Sequence, residues 1–266
     1  MKLPSNMITL GDVELEYWDA GAGPPLVFVH GVATSGDLWA ADLADAALDS
    51  RLIVYNRRGY GRSSSSPGDW HAHAQDAIQL IEKLDAFPAT LIGYSGGAMI
   101  ALDIVLHRPD LVSRLLLLDP AVNLKRCLTP GLARTLATVR LLRSLRRDRR
   151  AAEFWLRYVS SYSTGGSAFE SKTSPARRAQ LLANAPGLFA DLSSRGGSVD
   201  EGRLRDITVP VTMIDGKLSP SFLRRSSERL ERLLPQARKM TLEKSGHWLG
   251  LDARAELLDL LRAEQG

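Results

Sequence analysis

The segment Gly93-Tyr94-Ser95-Gly96-Gly97 lies between an apolar run, ATLIGY (89–94), and a helix-like stretch, GAMIALDIVLHRP (97–109). A serine in that setting has the makings of a nucleophile. A strained strand-to-helix turn lifts its hydroxyl clear of the backbone, and small residues two positions away on either side let the elements close. Glycines at 93 and 97 meet that demand. The turn also aims the start of the following helix, and with it the Gly96 N–H, at negative charge developing on an attacked carbonyl. The chemistry this implies is acyl transfer through Ser95.

A serine needs a general base whose pKa lies near the working pH, and histidine supplies that unperturbed. The chain holds His30, His71, His73, His107 and His247. His71 and His73 stand two apart at a helix start and point in different directions. His107 closes the helix behind the serine, where a cation suits the helix dipole. Only His247, in KSGHWLGLDARAEL, follows a strand end on the side where ligands bind in α/β sheets. His30 ends the strand-like run PLVFVH (25–30) and is read as a brace of its turn. The backbone N–H of Val32, two residues on, is the expected second oxyanion donor.

These groups need a scaffold. ITL (8–10) and VELEYW (13–18), joined at Gly11-Asp12, form an expected hairpin. Residues 25–30, 51–56, 89–94 and 114–119 read as buried strands, and residues 37–49, 72–87 and 97–109 as the helices between them. Strand and helix in alternation predict a mostly parallel, doubly wound α/β sheet. The alternation stops over 121–205 and resumes with a strand at 211–214, a helix over 220–234, a strand at 238–242 and a helix from about Ala253 to Arg262. The expected organisation is a core of residues 1–120 and 206–266 with a helical cap at 121–205, which holds glycine pairs at 165–166 and 196–197. SSSS (63–66) is a short polar loop.

Charge follows the same division. Lys and Arg outnumber Asp and Glu by 16 to 6 between residues 121 and 205, whereas the rest of the chain holds 18 against 24. A single cysteine, Cys127, excludes an intramolecular disulfide and fits a reducing compartment. The N-terminal stretch lacks the apolar region and small-residue cleavage pattern of a signal peptide, and no apolar run reaches the length of a membrane span. A cytoplasmic protein is the expectation.

Together, His30-Gly31, RRGYGRS (57–63), GYSGG (93–97), LDPA (118–121), the helical insertion and Gly246-His247-Trp248 resemble the α/β-hydrolase superfamily over nearly the whole chain outside the insertion. The resemblance implies catalysis by Ser95 and His247, oxyanion donors at Val32 and Gly96, a lid over 121–205, and no cofactor or metal. It also raises a question. Most members carry the catalytic acid in a Gly-x-x-Asp pattern after the strand at 211–214, where this chain reads Gly216-Lys217-Leu218-Ser219. Asp119, at the end of the preceding strand, matches a subgroup with an earlier acid and is the expected partner of His247. Asp215 and Asp252 remain alternatives, since either strand end could deliver a carboxylate. Serine at 95 argues against dehalogenase and epoxide-hydrolase chemistry, which use a carboxylate nucleophile. Arg57, Arg58 and Arg62 are read as structural braces.

The insertion contains GLARTLATVRLLRSLRRDRRAAEFWLRYVSSY (131–162), in which Leu132, Leu136, Val139, Leu142 and Leu145 fall near one helical face beneath a solvated basic surface. Sharper readings of that surface are steering of an anionic substrate or contact with an anionic membrane. Nucleic acid does not fit, because stacking aromatics are not interleaved with the arginines. Trp39, Tyr94, Trp155 and Trp248 are the expected substrate contacts, with Phe154, Tyr158 and Phe189 as further aromatics. They suggest an apolar pocket and a small-molecule substrate. The reading is hydrolysis of a carboxylic ester or lactone; the alternatives are carbon–carbon bond hydrolysis of a ketone-bearing acid and non-catalytic ligand binding on the same scaffold.

Overall fold

A computed structural model describes residues 3–44, 50–65, 68–194 and 199–264. The apolar runs become strands of one eight-stranded sheet: β1 (Asn6–Leu10), β2 (Val13–Ala20), β3 (Pro25–Val29), β4 (Arg51–Tyr55), β5 (Ala89–Tyr94), β6 (Val112–Leu118), β7 (Val211–Gly216) and β8 (Arg238–Leu242). Their order is β1-β2-β4-β3-β5-β6-β7-β8. The hairpin pairs Leu10 with Val13, and β2 runs antiparallel to β4; every pairing from β4 across to β8 is parallel.

Strand burial follows the two-residue period of a pleated sheet covered on both faces. Val27, Val29, Leu91, Leu115 and Leu117 pack with α2 (Trp70–Lys83) and α3 (Gly97–His107). Their neighbours Leu26, Phe28, Ile92, Leu116 and Leu118 face the other way, toward α1 (Gly36–Leu43) and, at the chain's end, residues Leu257, Leu258 and Leu261. Of the helix expected over 37–49, residues 45–49 lie outside the described residues, as do Ser66 and the glycine pair 196–197.

From β3 the chain crosses to β4 on one side and returns to β5 on the other. The order therefore reverses between β3 and β5, and the crevice outside their C-terminal ends is where α/β sheets bind ligands. Residues 30–33 and the turn at Ser95 are the two loops leaving that point.

Between β6 and β7 lie α4 (Pro130–Ser144), α5 (Asp148–Val159), α6 (Ala168–Ser171), α7 (Pro175–Ala183) and α8 (Ala185–Ser193). Thr129 caps α4 by accepting from Leu132 N, with Pro130 preset in the first turn. The continuous amphipathic pattern expected over 131–162 is instead two helices. Arg146 takes a left-handed φ of 55° and ends the first. That break corrects the expected stripe: Leu132 and Val139 are buried, but Leu145, at the C-cap of α4, is exposed. After β7 come α9 (Ser221–Leu233), α10 (Leu249–Asp252) and α11 (Arg254–Ala263). Among the described residues no helix is long and apolar enough to cross a membrane.

Candidate active site

Ser95 occupies the turn between β5 and α3 with a φ of 53°, a conformation that a non-glycine residue holds only when its surroundings enforce it. The enforcement is visible. Ser95 N donates to Leu118 O at 2.9 Å, and Ser95 O accepts from Ala98 N and Ala121 N, each at 3.0 Å. A Cβ at Gly97 would stand 2.3 Å from Val29 O, and one at Gly93 would stand 2.8 Å from Ala98 Cα. The flanking glycines are thus required by the close approach of strand, helix and neighbouring strand. A Cβ at Gly96 would lie 3.0 Å from Val32 Cγ2, which puts the two residues expected to supply oxyanion amides side by side.

His247 follows β8 and is buried. Its Nδ1 lies 2.5 Å from Asp119 Oδ2, a short hydrogen bond between imidazole and carboxylate. Tyr94 stacks on its ring, with centroids 5.0 Å apart and planes inclined by 21°, and donates its hydroxyl to His247 O at 3.0 Å. Asp119 sits just past β6 with a φ of 42°; its Oδ2 also accepts from Ser219 Oγ at 2.8 Å and its Oδ1 from Gly216 N at 3.3 Å.

The other two carboxylates are committed elsewhere. Asp215 points from β7 to Ser227 Oγ and to Lys239 Nζ, 3.7 Å away. Burial first, and then the nearby Asp119 charge, push its carboxyl up to about 6. Asp252 accepts from Tyr162 OH at 2.7 Å and from Gly246 N at 2.9 Å, and pairs with Lys172 at 2.9 Å. It anchors the loop of His247 from outside.

Ser95, Val32 and Gly96 line a cavity of about 580 Å³. Its walls are Trp70 and Met99 from the core, Leu132, Leu136, Val139, Trp155 and Phe189 from the insertion, and Phe222 from α9. Lys125, Arg126, Arg140 and Arg143 also border it; Arg143 lies over the Phe189 ring at 4.3 Å. The Trp155 indole N–H is buried and has no hydrogen-bond partner among the described residues.

Of the four expected substrate contacts, only Trp155 lines this cavity. Trp39 packs between Phe28 and Tyr94, at 4.5 and 4.6 Å, as part of the core. Tyr94 backs His247, and Trp248 meets Phe169 edge-on at 6.2 Å. Trp39, Tyr94 and Trp248 together border a separate void of only about 20 Å³. Tyr94 and Trp248 are sequence neighbours of Ser95 and His247, but their rings pack on His247 and Phe169 and lie outside the lining of the Ser95 cavity. Phe154 and Tyr158 are likewise absent from the lining, and Tyr158 stacks on Phe222 at 5.5 Å. Trp70, Met99 and Phe222 carried no sequence signal; each is an ordinary apolar residue on a helix.

Arg58 pairs with Asp76 at 2.5 Å and Arg62 with Glu16 at 2.8 Å. Arg57 is fully buried and pairs with Asp191 of α8 at 2.7 Å. Burial alone would lift the Asp191 carboxyl; the Arg57 guanidinium holds it below the usual carboxylate range. His30 accepts from Arg57 N at its Nε2, at 3.1 Å, while its Nδ1 lies 2.8 Å from Gly31 O. It braces the turn.

A mostly parallel sheet with a strained serine at its switch point, and a histidine–carboxylate pair brought together from the ends of β8 and β6, is the frame of a hydrolase. The sequence profile described as alpha/beta hydrolase fold matches residues 24–253, and the chain belongs to that family. It is similar to a pimeloyl-[acyl-carrier protein] methyl ester esterase of Vibrio atlanticus, 27% identical over 241 residues, covering 87% of this chain and 90% of that protein. Among solved structures it resembles the esterase RhEst1 of Rhodococcus sp. ECU1013, with a TM-score of 0.81 and 20% identity over 100% of this chain and 98% of that one. It also resembles Est816, an N-acyl homoserine lactone degrading enzyme, with a TM-score of 0.78 and 22% identity over 97% and 99%. At these identities the structural likeness speaks for the fold.

Proposed function

We propose that this protein is a serine hydrolase that cleaves a carboxylic ester or lactone of a small, largely apolar molecule. The observation that carries the reading is the 2.5 Å contact of His247 with Asp119 at the C-terminal strand ends, the edge of the sheet where a strained Ser95 opens onto a largely apolar cavity. The methyl ester esterase relative supports the choice of bond.

In this reading His247 takes the Ser95 proton as Oγ attacks the carbonyl carbon, and the Val32 and Gly96 amides receive the oxyanion. Asp119 fixes the imidazole and stabilises it while charged. Collapse releases the alcohol, which takes the proton from His247 and leaves an acyl group on Ser95. Water, deprotonated by the same imidazole, then frees the acid. The insertion over 121–205 acts as the lid that supplies the cavity's apolar roof, and the cations at Lys125, Arg126, Arg140 and Arg143 suit a substrate with an anionic end.

The test is turnover of activated aryl esters of short to medium acyl chain by the native protein and by Ser95→Ala. Turnover that disappears in the variant supports the reading. A native protein silent across the panel and unlabelled by a fluorophosphonate at Ser95 overturns it.

A further inference from the structure

Two side chains grip the backbone on either side of Val32, and both end on one carboxylate of the insertion. Arg57 Nη2 donates to Gly31 O at 3.2 Å, and the Tyr60 hydroxyl accepts from Ala33 N at 3.3 Å. Arg57 Nη2 also donates to Asp191 Oδ2 at 2.7 Å, and Tyr60 OH donates to the same oxygen at 2.6 Å. Arg57 Nη1 reaches Asp191 Oδ1 at 3.3 Å, and His73 Nε2 lies 3.6 Å from that oxygen. All four side chains are buried. Asp191 comes from α8, which seats tightly here: a Cβ at Gly187 would stand 2.7 Å from the Tyr60 ring.

Net stability is a poor reason for such a cluster. Taking a carboxylate and a guanidinium out of water costs about as much as their attraction returns, and apolar replacements are often as stable. What the cluster does supply is direction. Gly31 O and Ala33 N belong to the residues on either side of Val32. Gly31 O also lies 2.8 Å from His30 Nδ1 and accepts from Thr34 Oγ1 at 3.3 Å. Arg57 and Tyr60 therefore share with those two groups the task of fixing the plane of the Val32 amide. Arg57 and Tyr60 are in turn oriented by the forked carboxylate between them. Ala33 is held at a φ of 63°, which a loop without such restraints would not keep.

We infer that Asp191 is a positioning residue that aims the Val32 N–H at the oxyanion, so that a helix of the insertion sets the geometry of the catalytic loop. The inference rests on the reading of Ser95 as nucleophile and Val32 as oxyanion donor. Asp191 touches no reacting atom in this scheme. It acts through Arg57 and Tyr60, and the benefit falls on the transition state, since the donor must fit the oxyanion rather than the ground-state carbonyl.

The experiment compares native protein, Asp191→Asn and Tyr60→Phe in hydrolysis of a p-nitrophenyl ester and in inhibition by an alkyl trifluoromethyl ketone. The ketone adds to Ser95 as a hemiketal and places an oxyanion where the transition state has one. Both variants should lose at least about tenfold in kcat with KM changed by less than about threefold, a fraction of the effect of deleting an oxyanion donor. The ketone Ki should rise by the same factor as kcat falls. A merely structural role would lower Tm and leave the ratio of Ki to KM unmoved. Asp191→Asn strips the buried Arg57 of its counter-charge; where that prevents folding, Tyr60→Phe, which removes one hydroxyl, decides alone. A folded Tyr60→Phe with native kcat and native Ki overturns the inference while leaving the hydrolase reading in place. A native protein that neither turns over ester nor binds the ketone removes that reading, and this one with it.

Discussion

The Ser219 hydroxyl donates at 2.8 Å to Asp119 Oδ2, the oxygen that lies 2.5 Å from His247 Nδ1. Position 219 is where the family pattern places an acid, and here it holds a donor to an acid rooted on the neighbouring strand. Asp119 thus has partners on both oxygens, counting Gly216 N, and is fixed for a single task. Asp119→Asn should lower kcat by about 10³–10⁴-fold, the scale on which a triad loses its histidine tautomer, with the fold intact. Ser219→Ala, which leaves the His247 contact in place, should cost less than about tenfold. Steady-state kinetics with one activated ester, beside a melting curve for each variant, separates the two. An active Asp119→Asn alongside an inactive Asp215→Asn would move the acid to Asp215.

Asp215 offers the opposite signature. Its carboxyl is pushed up to about 6 from an ordinary 3.8, by burial and by the Asp119 charge, against the help of Ser227 and Lys239. A raised carboxylate pKa favours the fold at low pH, and that advantage is lost as pH rises from about 4 through 6. The penalty above pH 6 is on the order of 3 kcal/mol, since each unit is worth about 1.4 kcal/mol. Asp215→Asn should therefore gain stability relative to the native protein between pH 4 and pH 8, while kcat stays within a few-fold. Denaturant unfolding at the two pH values reads the difference directly.

Much of this arrangement was legible in the residues. The runs around Val27, Val29, Leu91, Leu115 and Leu117 are short, continuously apolar and separated by helix-like stretches, which is how strands buried on both faces read in sequence, and Gly93 and Gly97 mark the elbow because no Cβ fits there. Less was legible in the site. Asp119 is the acid that the sequence favours, but Asp215 and Asp252 stay open as alternatives, because which of them faces His247 depends on where each carboxyl points. The lining of the Ser95 cavity is hidden for a related reason: Trp39 and Trp248 carry the right chemistry, yet Trp39 packs against Phe28 and Trp248 against Phe169, outside that lining. Asp191 gave no signal at all. Its partner Arg57 lies 134 positions away, and a lone aspartate in a basic insertion looks like solvent-facing charge balance.

Acid should destabilise this protein early, through His30 and His73. Both are buried, and desolvation together with the Arg57 charge holds their imidazoles below the ordinary 6.5. Their folded pKa values lie below their unfolded ones, so the unfolded chain binds more protons and stability falls as pH drops below about 6.5. Asp215, whose carboxyl is pushed up to about 6, binds its proton in the folded state over part of the same range and opposes that loss. Asp215→Asn should therefore lose stability more steeply than native protein between pH 6 and 5. Urea midpoints across that interval compare the two slopes; equal slopes would mean that Asp215 does not oppose the histidines.

The cations bordering the Ser95 cavity carry the last expectation. Arg126 lies 3.6 Å from Glu201, and Arg143 lies 3.8 Å from Asp148 and over Phe189. The acid in the lining, Asp191, is already neutralised by Arg57. The basic border is therefore not balanced by the lining itself, while the walls between it and Ser95 are apolar. An acyl chain with a terminal carboxylate would place its body on Leu132, Leu136 and Val139 and its charge near Arg140. Monoaryl esters of medium-length dicarboxylic acids should then show a KM lower than esters of monoacids of equal length. Arg140→Gln should raise KM for the diacid ester by about three- to tenfold and leave the monoacid ester unchanged, with the preference weakening as salt screens it. Equal KM values for the two esters at low salt would assign the basic surface to solvent.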